Sequence, residues 1–86
     1  METDDLIALA HEARFHGDAL EAERLYLQAA NQGSGHAAHE LGVLYRTGGE
    51  GLAPDQEKSQ FWLEKSLESG YEATAASDPE WFKKAT

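Results

Sequence analysis

The chain has 86 residues, of which 41% are hydrophobic and 27% charged, enough for one small globular domain and unlike the makeup of a disordered segment. Sixteen Asp and Glu against seven Lys and Arg leave a net charge of −9, which argues against nucleic acid and anionic membrane as partners. The absence of cysteine excludes disulfides, thiolate metal sites and a thiol nucleophile, and makes a cytoplasmic location the expectation. The longest unbroken apolar run, Leu6 to Ala10, falls far short of the ~18 residues of a membrane helix. The acidic opening Met1-Glu2-Thr3-Asp4-Asp5 does not read as an export or transit segment.

Helical signals follow one another along the chain. Asp4 or Asp5 is the expected cap of a first helix in which Leu6, Ile7, Leu9, Ala10, Ala13 and Phe15 recur at helical spacing, and Gly17 stops it. Asp18 caps the next, predicted over Ala19 to Gln32, with Ala22, Leu25, Tyr26, Ala29 and Ala30 on one stripe and Gly33 as its end. A third helix is predicted from about Gly35 to Thr47, with Ala38, Leu41, Gly42 and Tyr45 in phase. The segment Gly48-Gly49-Glu50-Gly51-Leu52-Ala53-Pro54 cannot remain helical, since glycine and proline both penalise a helix interior. Asp55 then caps a fourth helix whose apolar bulk is Phe61, Trp62, Leu63 and Leu67 and whose stop is Gly70. Tyr71 to Ala76 reads as the opening of a fifth, broken at Ser77-Asp78-Pro79, and Pro79 to Lys84 as a short terminal helix with Trp81 and Phe82 on its buried side. β-branched residues are too scarce to build strands. The fold class is therefore all-α.

The second and fourth helices repeat one another. Ala22 to Gly33 laid over Ser59 to Gly70 matches small residues with small and apolar pairs with apolar pairs, at an offset of 37. The tail fits a third time, with Trp81 under Trp62 and Phe82 under Leu63. Small residues at such positions let two helices approach closely while a large aromatic fills the space beside them.

The stretch from Ala37 to Gly70 carries Leu41-Gly42, Tyr45, Gly48…Gly51-Leu52, Asp55, Lys58-Ser59, Trp62, Lys65 and a closing Gly70. In this it resembles the Sel-one-like repeat family, a branch of the tetratricopeptide superfamily of helical hairpins. It departs from the family pattern in a loop one residue longer and in Ser59, Ser66 and Leu67, where alanines are usual. The first unit keeps only the second-helix half and is closer to a plain tetratricopeptide hairpin. The resemblance covers about four fifths of the chain. It implies a short α-α superhelix: repeat one over about 4–34, repeat two over about 35–70 and a truncated cap over 71–86, all within a single domain. Stacks this short bury their apolar faces incompletely, which makes a homodimer or a bound partner an expected source of further stability.

The resemblance also implies that the first helix of each hairpin lines a concave groove for peptides. Carried over by register, the groove residues are Asp4, Ile7, His11 and Arg14 from the first helix and His36, His39, Val43 and Arg46 from the third. Their i+3, i+4, i+3 spacings put each set of four on one helical face. Five of the eight are Arg or His, a mildly basic stripe on an acidic protein, and Arg14 and Arg46 offer planar forks for a carboxylate. The plain alternative is ordinary surface charge paired with Glu12 or Glu40.

The function so implied is a non-catalytic protein-interaction module of adaptor, chaperone or toxin-immunity type, as bacterial proteins of this look serve, with no cofactor. The acidic side offers a second mode, binding of a basic partner. A rival reading is a small metal-dependent hydrolase on His11, His36 and His39. A metal site needs three or four ligands and a shaped second shell, however, and His36-Ala37-Ala38-His39-Glu40 has the wrong order for the His-Glu-x-x-His arrangement. A third is a self-associating fragment. The glycine loop lacks the Lys-Ser/Thr of a phosphate loop and reads as structural, and Tyr45, Phe61, Trp62 and Trp81 read as core or interface. Glu21, Glu23, Glu57, Glu64 and Glu68 are expected on a solvated face.

Overall fold

A computed structural model describes residues 2–70. They form four helices, α1 (Thr3–Phe15), α2 (Ala19–Asn31), α3 (Gly35–Thr47) and α4 (Gln56–Glu68), and no strand among the described residues. The two helices expected beyond Gly70, with Tyr71, Trp81 and Phe82, lie outside the described residues.

Local chemistry sets most of the boundaries. The Asp18 carboxylate accepts from the Glu21 N–H at 3.2 Å and the Asp55 carboxylate from the Lys58 N–H at 3.1 Å, as predicted, and the Ser34 hydroxyl accepts from the Ala37 N–H at 3.0 Å to cap α3. The first helix corrects the expectation. It begins before Asp4, with the Leu6 N–H bonded to the Glu2 carbonyl, so Glu2 is the cap residue and its side chain makes no capping bond. Asp4 and Asp5 sit inside the first turn, where their charge favours the positive end of the helix dipole.

Consecutive helices pack on one another: α1 with α2 and α3 with α4 make two hairpins, and α2 packs across to α3. The core consists of Leu6, Ile7 and Ala10 of α1, Ala19, Ala22, Leu25, Tyr26 and Ala29 of α2, and Ala37, Leu41, Leu44 and Tyr45 of α3. Two residues of the predicted α1 stripe fall outside it. Phe15 is 87% exposed and Leu9 41%, because at about 100° per residue Phe15 points to the far side of the helix from Leu6 and Leu9 flanks the buried arc.

The fourth helix differs more. Phe61 and Leu67 are exposed, Trp62 and Leu63 are partly buried, and the fully buried positions are Ser59 and Ser66. These serines are the register equivalents of buried Ala22 and Ala29, so the 37-residue offset holds for the small residues at the helix contact. At the crossing a Cβ added to Gly42 would fall 2.5 Å from Leu63 Cγ and 3.1 Å from the Ser59 carbonyl oxygen, which is why this helical position lacks a side chain.

The loop between α3 and α4 turns through reciprocal bonds between Gly49 and Leu52, N–H to carbonyl at 2.8 and 3.0 Å, and the Asp55 N–H donates to the Tyr45 carbonyl at 2.7 Å. Gly48 opens it with φ of 69°, and a side chain there would meet the Leu52 carbonyl and the Pro54 ring at 2.8 Å. Gly49 lies against Ala19, so the second hairpin's loop rests on the start of α2. The loop is structural.

Candidate protein-interaction face

The first helices of the two hairpins present side chains to each other. His11 Nε2 of α1 lies 3.7 Å from Glu40 Oε2 of α3, and the His11 and His36 rings are 5.9 Å apart between centroids. On α1, Asp4 and His11 are exposed, Arg14 is half-buried and Ile7 is buried in the core. On α3, His36, His39 and Val43 are half-buried and Arg46 is exposed, in no ion pair among the described residues.

Glu40 is the centre of this face. Only 19% of its side chain is exposed, and three imidazoles approach its carboxylate: His11 at 3.7 Å, His36 at 4.0 Å and His39 at 3.9 Å. The pairing of groove charges with Glu40 is therefore present for the histidines. Behind His11 stands Tyr26 of α2, fully buried, with its hydroxyl 2.6 Å from His11 Nδ1 and the two rings edge to face. Burial raises the Tyr26 pKa above the ordinary phenol value, the charge of Glu40 raises it further, and the Arg14 guanidinium, a hydrogen-bonding neighbour of the hydroxyl, pulls the other way.

A second cross-helix bond ties α3 to α2. The Tyr45 hydroxyl donates to Glu23 Oε2 at 2.6 Å. Burial, then the bond to Glu23, then the charges of Glu23 and Asp55 raise the Tyr45 pKa well above the ordinary phenol value. This removes Glu23 from the predicted solvated face: its carboxylate is a structural acceptor. Glu57, Glu64 and Glu68 are exposed as expected, and Glu21 is held by Arg24 across one helical turn at 2.6 Å, a bond that lowers the Glu21 pKa.

The side chains whose donor atoms come together are His11, His36 and Glu40, all within 4.8 Å of one another. The carboxylate, rather than His39, supplies the third donor. Sequence spacing contains the His36–Glu40 part, one helical turn apart, but not the contribution of Tyr26, which depends on how α1 crosses α2. On another side of the first hairpin an open groove of about 550 Å³, lined by Leu9, Ala13, Leu25 and Gln28 among others, contains none of the eight predicted groove residues.

No helix among the described residues is long and apolar enough to cross a membrane. No curated protein and no solved structure matches the chain. The Sel1 repeat family model matches twice, over residues 7–34 and 35–71, so the first hairpin, which in sequence is closer to a plain tetratricopeptide unit, falls in the same family as the second. With most of its length in two such repeats and an all-helical stack to match, the chain belongs to the Sel1 repeat family.

Proposed function

We propose that this protein is a non-catalytic interaction module that binds a peptide or protein segment along the face shared by α1 and α3. Sel1 repeats generally mediate protein–protein interaction, and that is the basis of the reading. The observation that carries it is the meeting of His11 with Glu40 and His36 across the two hairpins, which makes one continuous polar strip from side chains of both repeats. Arg46, exposed, and Arg14, half-buried, lie on the same two helices and suit the partner's carboxylates; the occupant is an acidic segment or a free C-terminus.

The test is selection from a displayed peptide library on the immobilised protein, followed by affinity measurement on variants. Acidic or C-terminal peptides are enriched, and the double change Arg14→Glu with Arg46→Glu weakens them at least tenfold while Glu57→Lys with Glu64→Lys does not. Enrichment of basic peptides that bind the arginine variant unchanged and lose the glutamate variant transfers the function to the acidic side and overturns the groove.

A further inference from the structure

We propose that His11, His36 and Glu40 form a binding site for a divalent metal ion of the zinc class, joining the first repeat to the second. The donor set is two imidazoles and one carboxylate, the nitrogen and oxygen chemistry that zinc accepts. His36 and Glu40 are one turn apart on α3 and give two ligands from one rigid element, and His11 brings the third from α1 of the other hairpin. Zinc bonds of about 2.0–2.1 Å put donors sharing one ion roughly 3.3 Å apart. His11 Nε2 and His36 Nε2 lie 3.7 and 4.0 Å from Glu40 Oε2, so small side-chain rotations close the set without moving a helix.

The neighbour behind His11 has the geometry of an orienting partner. Metal-bound histidines ordinarily donate their second ring N–H to a fixed acceptor. His11 Nδ1 lies 2.6 Å from the hydroxyl of Tyr26, which is wholly buried and immobilised by core packing, so Nε2 is the nitrogen aimed at Glu40 and available to the ion. Three protein ligands leave a further position open, and with the His11 and His36 side chains 44% and 43% exposed that position is reachable from solvent. Sites of this kind keep one place for water or for a ligand atom of a partner.

The experiment uses the untagged full chain and zinc chloride, read by isothermal titration and by thermal unfolding. One zinc binds per chain and raises Tm; magnesium, which prefers an all-oxygen shell, does neither. His36→Ala and Glu40→Gln each abolish the saturable heat and the Tm shift, with apo far-UV spectra unchanged, while His16→Ala retains both. Tyr26→Phe, which keeps the ring and removes the hydroxyl, weakens binding about 10- to 100-fold. Absence of a stoichiometric zinc response overturns the site, and so does a response that survives Glu40→Gln but is lost in His39→Ala, which would assign the metal to three imidazoles.

Discussion

The Ser59 hydroxyl donates to the Gly42 carbonyl at 2.7 Å, a buried bond between the two helices of the second hairpin, where a Cβ on Gly42 would collide with Leu63. Both partners are small for the same reason. Gly42→Ala places a methyl group inside the space of Leu63, so its overpacking cost of about 1–3 kcal/mol outweighs the helix propensity gain of about 1 kcal/mol. Ser59→Ala removes only the donor, at about 1 kcal/mol. Urea unfolding midpoints rank the alanine at 42 as the more damaging change; a Gly42→Ala protein as stable as the parent would contradict the close approach.

Alkali destabilises the fold. Both Tyr26 and Tyr45 have pKa values raised by burial, and the Tyr45 hydroxyl is further held by Glu23. The folded protein thus keeps these protons more tightly than the unfolded chain does. The stability they contribute is fully present below the ordinary phenol pKa of about 10 and is lost progressively as the pH rises above it. Thermal melts between pH 9 and 12 show a falling Tm, and Tyr45→Phe flattens that fall while lowering Tm at neutral pH. A flat parent profile would contradict the buried phenols.

Helix caps separate the first helix from the others. Asp18→Ala and Asp55→Ala each remove a capping bond to the backbone and cost about 1 kcal/mol. Asp4→Ala removes only a charge near a helix start that keeps Asp5, at roughly 0.3–0.5 kcal/mol. Chemical denaturation of the three variants gives this order, and an equal loss at Asp4 would restore it as a cap.

What was legible in the sequence is what is local or repeated. The caps at Asp18 and Asp55 are set within one turn, and the glycine stops at 17, 33 and 70 follow helix ends. The buried serines of α4 follow from the 37-residue repeat, because the same crossing recurs with the same need for small side chains, while Gly42 was legible from the Leu41-Gly42 pair of the family pattern. Phe15, Leu9, Phe61 and Leu67 misled, since apolar character alone does not say which arc of a helix finds a neighbour. His11, His36 and Glu40 were individually visible, but their convergence with Tyr26 involves three helices and rests on crossing geometry that no spacing within one helix contains.

Equivalent places in the two repeats are not equivalent in energy. Tyr26 and Leu63 share a register position, yet α2 is clasped on both flanks, by α1 through the His11 bond and by α3 through the Glu23 bond, whereas the main partner of α4 among the described helices is α3. A lesion at Tyr26 loosens both hairpins at once; the corresponding lesion at Leu63 acts chiefly on the contact with Gly42 of its own hairpin. Duplication copied the pattern of residues, and position in the stack decides how much each copy matters.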